Sequence, residues 1–160
     1  MKEYPAVKGD ALMKKKRIII ICLIVLCVAA IAAALIHYFS YPERTKRALI
    51  DLGESQKFSQ SEVEAAAQCV YNHFADSSDL YLKRLWYDEE ESNRAVTSYM
   101  TTGSGAENGV NEANVIVLFT DYHTGMNYIT GPNMDYERFG WILVRDSETG
   151  EWRIVGSGVV

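Results

Sequence analysis

Asp121 and His123 have the types and spacing of a catalytic acid–base pair. They follow an apolar segment, and residues two apart at the end of a strand point to the same side of a sheet. A carboxylate placed in this way could orient the imidazole for proton transfer. In a small cone-shaped α+β fold the pair would support isomerase or dehydratase chemistry, if both side chains enter an enclosed pocket. No serine or cysteine nucleophile lies in a recognisable turn, so we favour a polar loop here and keep an enzyme as the alternative.

Two other polar groups lack the pattern of a metal site. Cys69 and His73 are four residues apart, but a zinc site needs three or four ligands and His123 is the one other histidine after residue 58. The acidic residues 88–91 lack the alternating oxygens and the glycine of a calcium loop. We therefore predict no metal and no cofactor, with a buried cysteine, a surface histidine and a solvated, acidic helix start.

Aromatic residues are numerous after residue 58, and some of them would line a concave pocket if a helix closes one side of the sheet. As ligand-binding residues we predict Trp86, Tyr122, His123 and Trp141. No residue is assigned a catalytic role.

Periodicity predicts the elements that would hold these residues. Ser59 and Glu62 form a capping box before a helix over residues 61–74, which has one apolar face. A short helix over 43–52 precedes it, and an acidic helix over 88–100 follows it. Residues 101–111 and 121–136 read as loops. Strands are predicted at residues 80–87, 113–120, 138–145 and 151–157. The fold class is α+β, with the long helix packed on a curved antiparallel sheet of about four strands.

An uncharged apolar segment covers residues 18–38, which is 21 residues. A helix rises about 1.5 Å per residue, so the segment spans roughly 30 Å, the thickness of the hydrocarbon layer of a bilayer. This length predicts one N-terminal transmembrane helix. Aromatic residues typical of a membrane interface follow it: His37, Tyr38, Phe39 and Tyr41.

Three alternatives to a retained anchor are open. A cleaved signal peptide could use residues 32–34 as its small-residue site, but its apolar region is usually about 7–15 residues long. A lipoprotein needs a small residue before the lipidated cysteine, whereas Ile21 and Leu26 precede Cys22 and Cys27. A buried core helix is disfavoured by the length. We therefore favour a retained anchor.

Charge is distributed unevenly along the chain, whose net charge is −5. Residues 58–160 carry 16 acidic and six basic side chains, which disfavours a nucleic-acid partner because phosphate backbones require clustered Lys and Arg. Six basic residues precede the apolar segment and three follow it closely, which predicts a cytoplasmic N-terminus. The predicted divisions are a cytoplasmic tail (1–17), a transmembrane helix (18–38), a juxtamembrane stalk (39–57) and an extracytoplasmic domain (58–160).

The C-terminal hairpin, GWILVRDSETGEWRIVGSG (140–158), follows an amphipathic helix and the strand VIVLF. With these elements, residues 58–160 resemble uncharacterised membrane-anchored extracytoplasmic domains of Gram-positive, clostridial-type bacteria. Those domains are similar to the cystatin-like and nuclear-transport-factor-two-like class, in which a helix lies across a curved antiparallel sheet. The resemblance implies a fold and no catalytic residue, because that class hosts enzymes and binding modules alike.

The hypothesis is a single-pass binding or interaction domain of the cell membrane. Its predicted partners are the lipid bilayer, through residues 18–38, and a protein or a small ligand.

Overall fold

The computed structural model describes the backbone of residues 8–148 and 150–159, and the side chains of 14–36, 45–148 and 150–158. The chain divides into two units, Met1–Ser40 and Tyr41–Val160. The helices are α1 (Lys8–Thr45), α2 (Gln60–Ala75) and α3 (Glu89–Thr101), with a 3₁₀ turn at Glu112–Asn114. The strands are β1 (Leu49–Leu52), β2 (Leu80–Tyr87), β3 (Val115–Thr124), β4 (Asp135–Val144) and β5 (Arg153–Val159).

Helix α1 contains the predicted apolar segment. Lys14–Ile36, 23 residues, is long and apolar enough to cross a membrane, and none of it is buried. A signal sequence near the N-terminus can meet the same criteria of length and composition. Most of the predicted tail and all four interfacial aromatic side chains lie outside the residues whose side chains are described.

The second unit is built on one five-stranded sheet in the order β1-β2-β3-β4-β5. The prediction of an α+β fold is confirmed, but its details need correction. The sheet has five strands instead of about four, it is uncurled, and it is mixed because β1 pairs in parallel with β2. The remaining neighbours pair in antiparallel fashion, as predicted.

Helices α2 and α3 pack on opposite faces of this sheet. Val63, Val70 and Phe74 of α2 share a core with Ile116 and Leu118 of β3. Val96 and Tyr99 of α3 share a second core with Val115, Val117 and Phe119. Since successive side chains of a strand point to opposite faces, the continuous apolar run of β3 needs a helix on each side. The sequence predicted both helices but placed only one against the sheet.

Two predicted segments differ from the structure. Residues 49–52 form strand β1 instead of the end of a helix over 43–52, so part of the segment assigned to a stalk belongs to the sheet. Strand β3 extends to Thr124, so Asp121 and His123 lie within a strand and not in a loop. The apolar run ends at Thr120, but the hydrogen-bonded pairing with β2 and β4 continues beyond it. A hydropathy pattern does not reveal a strand segment that is defined only by its backbone pairing.

Side-chain hydroxyls complete the sheet where a strand is too short. Strand β1 begins opposite Arg84, and the backbone N–H of Leu82 donates to Thr45 Oγ1 at 3.1 Å instead. Strand β2 ends at Tyr87, and beyond it the N–H of Val117 donates to Ser92 Oγ at 3.0 Å. Thr45 and Ser92 are buried, so each hydroxyl satisfies a donor that water does not reach.

Replacing Ser92 with alanine should therefore destabilise the domain. The change leaves the buried N–H of Val117 without its acceptor, which costs about 1–3 kcal/mol. Urea unfolding of the full chain in detergent, followed by fluorescence of the three tryptophans, measures the loss. Ser98→Ala is the matched control, because Ser98 is exposed on the same helix. Equal stability of the two variants would contradict the role given to Ser92.

Candidate functional site

Two of the four predicted ligand-binding residues, Tyr122 and Trp141, lie in the core beneath α2. The Tyr122 ring stacks on Tyr136 with a centroid separation of 4.9 Å and meets Phe74 edge-on at 5.3 Å. Burial raises the pKa of the Tyr122 phenol. Trp141 donates through Nε1 to Thr120 Oγ1 at 2.8 Å and is 5% exposed. Both side chains therefore serve packing in this structure.

The other two, Trp86 and His123, lie on the opposite face of the sheet. The Trp86 ring stacks on Phe119, and the Arg84 guanidinium lies over it at 4.7 Å from the ring centre. His123 stacks on Tyr81 at 6.3 Å. Because the sheet separates the two pairs, the structure does not bring the four residues into one site. Ligand binding by each of them stays a prediction.

Asp121 and His123 point to the same face, as their spacing predicts, but each has another partner. Asp121 Oδ1 accepts the backbone N–H of Arg138 at 2.9 Å. His123 Nδ1 lies 2.7 Å from Asp135 Oδ1, which also binds Lys83 Nζ at 2.6 Å. Lys83 and then His123 lower the pKa of the Asp135 carboxyl. The structure thus links His123 to Asp135, which the sequence analysis did not single out.

A charged groove of about 540 Å³ lies on this face, beside α3. We call it the charged groove; it is lined by Asp51, Gly53, Arg84, Trp86, Tyr87, Asp88, Glu91, Asp121, Glu137 and Arg138. Arg138 binds Glu91 at 2.6 Å, and Arg84 lies 3.5 Å from Asp51. The lining contains five carboxylates and two guanidinium groups, so the groove is net negative and complementary to a cationic ligand.

The groove combines residues from β1, β2, β3, β4 and α3, which no local motif could indicate. One local signal was present, since Lys83-Arg84 interrupts an otherwise apolar strand. The alternation of side chains between the two faces of the sheet breaks there because of a bulge: the pairing of β2 with β3 shifts by one residue between Leu82 and Arg84. A second bulge in β4 lies at Glu137 and Arg138, and the Arg138 backbone has a φ of 52°.

No protein-family model, curated protein or solved structure matches the chain. The resemblance of residues 58–160 to the cystatin-like and nuclear-transport-factor-two-like class therefore stays a prediction. The functional argument below is drawn from the geometry of the described residues.

All four acidic residues in the run 88–91 have partners in the folded domain, and two of them pair with arginines, Glu90 with Arg94 at 3.4 Å and Glu91 with Arg138 at 2.6 Å. Asp88 caps α3 by accepting the N–H of Glu91 at 2.8 Å. Glu89 accepts the backbone N–H groups of Gln56 and Lys57, which holds the segment between β1 and α2. These hydrogen bonds, with that of Gln56 first, lower the pKa of the Glu89 carboxyl. Among the described residues no group of three or more His, Cys, Asp and Glu is placed to hold a metal ion.

Cys69 and His73 do not bond to each other in the described contacts. The Cys69 thiol donates to the carbonyl of Trp152 at 3.4 Å, and burial raises its pKa. The His73 ring lies against Trp141 at 4.9 Å. His73 lies on the surface, as predicted. Cys69 was predicted to be buried and is half-buried.

A second cavity, of about 550 Å³, lies between α2 and the β4–β5 hairpin, and Arg145 is its most buried polar residue. Arg145 Nη1 binds Glu62 Oε1 at 2.5 Å, and its guanidinium lies over the rings of Trp152 and Phe58. Glu62 Oε2 also accepts the Ser59 N–H at 2.7 Å, which completes the predicted capping box. One carboxylate thus joins the start of α2 to the hairpin.

Loss of the Glu62 charge should weaken the fold in acid. The hydroxyl of Ser59, its N–H and then Arg145 lower the pKa of Glu62 from 4.5 to about 2. A group with a depressed pKa stabilises the folded state fully above its unfolded pKa, so this contribution should disappear as the pH falls from about 4.5 towards about 2.

Glu62→Gln should therefore lower the free energy of unfolding by about 1.5–3 kcal/mol at neutral pH, since it leaves the buried Arg145 without its counterion. The difference from the unmodified chain should shrink as the pH falls through that range. Urea titrations of the full chain in detergent at several pH values measure both effects. Glu64→Gln, an exposed position on the same helix, is the control. A pH-independent difference would contradict the assigned pKa.

Proposed function

We propose that this chain is a single-pass, membrane-anchored protein whose folded domain binds a partner outside the cytoplasm. The observation that carries the proposal is the helical segment Lys14–Ile36, which is apolar without interruption from Ile18 onward and whose side chains are exposed along its whole length. Exposed Ile, Leu and Val side chains in water are costly, whereas a bilayer accommodates them. The cationic cluster Lys14–Arg17 at the start of the helix supports a cytoplasmic N-terminus.

The charged groove is the surface of the domain best suited to a partner. It is open and it holds both signs of charge with carboxylates in excess, while the Trp86 ring is buried in its wall beneath Arg84. Arginine is enriched at the centres of protein interfaces. We therefore propose a cationic segment of another protein as its ligand.

The alternative enzyme has less support. It would need Asp121 and His123 to act together, whereas Arg138 and Asp135 bind them. The groove that contains Asp121 is bounded by charged side chains on an open sheet and is not an enclosed apolar cone.

Membrane integration tests the anchor. Val25→Lys places a charge near the middle of the apolar segment, where it raises the apparent insertion free energy by about 3 kcal/mol. The variant should move from the carbonate-resistant membrane fraction to the soluble fraction, while Val25→Leu should stay in the membrane. Mass spectrometry of the purified chain then distinguishes an anchor from a signal sequence, because a cleaved chain lacks residues 1–34 or thereabouts. A soluble or cleaved unmodified chain would contradict the proposal.

Orientation is tested separately with protease added to intact cells. An extracytoplasmic domain should be digested without lysis, and a cytoplasmic one should survive until the cells are opened.

The groove is tested by photo-crosslinking in intact cells. A photoreactive amino acid in place of Glu137, which is exposed in the groove, should give a specific adduct with one protein. The same residue in place of Asn108, exposed on the loop after α3, is the control. High salt should abolish the Glu137 adduct, because exposed charges are screened. Identical adducts from both positions would argue against a binding role for the groove.

A further inference from the structure

The connection between β3 and β4 exposes more apolar side chain than any other described loop of the domain. We call residues 125–134 the apolar loop. Ile129 is 97% exposed, Met126 66% and Met134 50%. The loop contains no charged residue, although the domain from residue 58 onward has a net charge of −10. Single exposed apolar residues are ordinary, but three within ten residues form a patch that requires an explanation.

Hydrogen bonds hold the apolar loop in this exposed conformation. Thr124 Oγ1 donates to the carbonyl of Gly131 at 2.5 Å and accepts the N–H of Met134 at 2.9 Å. The N–H of Gly125 donates to the carbonyl of Asp79 at 2.7 Å, and that of Asn133 to the carbonyl of Gly125 at 3.1 Å. Thr124 is fully buried. These hydrogen bonds fix both ends of the apolar loop to the domain, so its apolar side chains stay exposed to the surroundings.

The chain enters the domain at the same end of the sheet. Strand β1 runs parallel to β2, so the residues before Leu49 come from the end where β2 begins. Thr45 lies there, with its hydroxyl bonded to the N–H of Leu82. At this end Leu80 pairs with Thr124, the residue directly before the apolar loop. Eight residues, 37–44, lie between Ile36, the last residue of the apolar helix segment, and Thr45.

We propose that the apolar loop inserts its side chains into the lipid–water interface of the membrane that holds the anchor. The inference rests on the proposed function, because it needs the chain to be anchored. A bilayer is the occupant favoured by position and by charge: an acidic surface is repelled by anionic lipid, and an uncharged apolar loop is not. The exposed residue Arg47 lies at the same end and can contact lipid phosphates. The loop thus sets the orientation of the domain on the membrane.

Site-directed spin labelling of the full chain in nanodiscs of phosphatidylcholine and phosphatidylglycerol tests the inference. Cysteine replaces Ile129 in a chain whose three native cysteines are changed to alanine. Asn108→Cys, at the opposite end of the sheet, is the aqueous control, and a chain that keeps only Cys27 is the lipid reference. Both new positions are exposed, so the labels should leave the tryptophan fluorescence of the domain unchanged. Relaxation by oxygen is compared with relaxation by a water-soluble nickel complex.

The label at position 129 should respond more to oxygen than to nickel, as at Cys27, and the label at position 108 should do the reverse. Three results would overturn the inference. If position 129 behaves like position 108, the loop faces water and anchoring is unaffected. If it is shielded from both reagents, a protein covers the loop instead of lipid. If the Cys27 label itself is accessible to nickel, the chain is not anchored, and the proposed function fails together with the inference.

Discussion

Burial of both faces of β3 is the constraint on which the rest of the domain depends. Its apolar residues alternate between the core under α2 and the core under α3, and a strand of this kind must have a helix on each side. Helix α3 covers only the first half of this face of β3, at Val115, Val117 and Phe119. Where that cover ends, the strand changes to Asp121 and His123, and the charged groove begins. The groove thus begins where α3 no longer packs on β3.

The local signals in the sequence predicted the elements better than their arrangement. The capping box at Ser59 and Glu62 and the apolar face of α2 depend on neighbours in the chain, and both are confirmed. The prediction of a helix at Leu49–Leu52 is wrong because four residues are too few to distinguish a helical from a strand periodicity. Pairing with β2 makes this segment a strand, and a local sequence pattern does not show that contact.

The candidate site was less predictable for the same reason. Trp86 lies in the wall of the groove, whereas Tyr122 and Trp141 are core residues, and ligand binding by any of them stays a prediction. Asp135 and Glu137 lie on β4, and bulges in β2 and β4 change which side chains share a face. A bulge shifts every later residue of its strand by one, so period-two reasoning fails beyond it. The ion pair between the buried Arg145 and the half-buried Glu62 joins residues 83 positions apart, which spacing alone does not suggest.

The parallel pairing of β1 with β2 also has a mechanical consequence. The four residues of β1 connect the segment at Thr45 to the groove, where Asp51 and Gly53 contribute to the wall. If a partner in the groove pulls while the other end of the chain is held, the tension acts along β1 and shears its hydrogen bonds to β2 together. Bonds loaded side by side resist force better than bonds opened one after another. A short edge strand can in this way transmit a pulling force from the groove to the segment at Thr45.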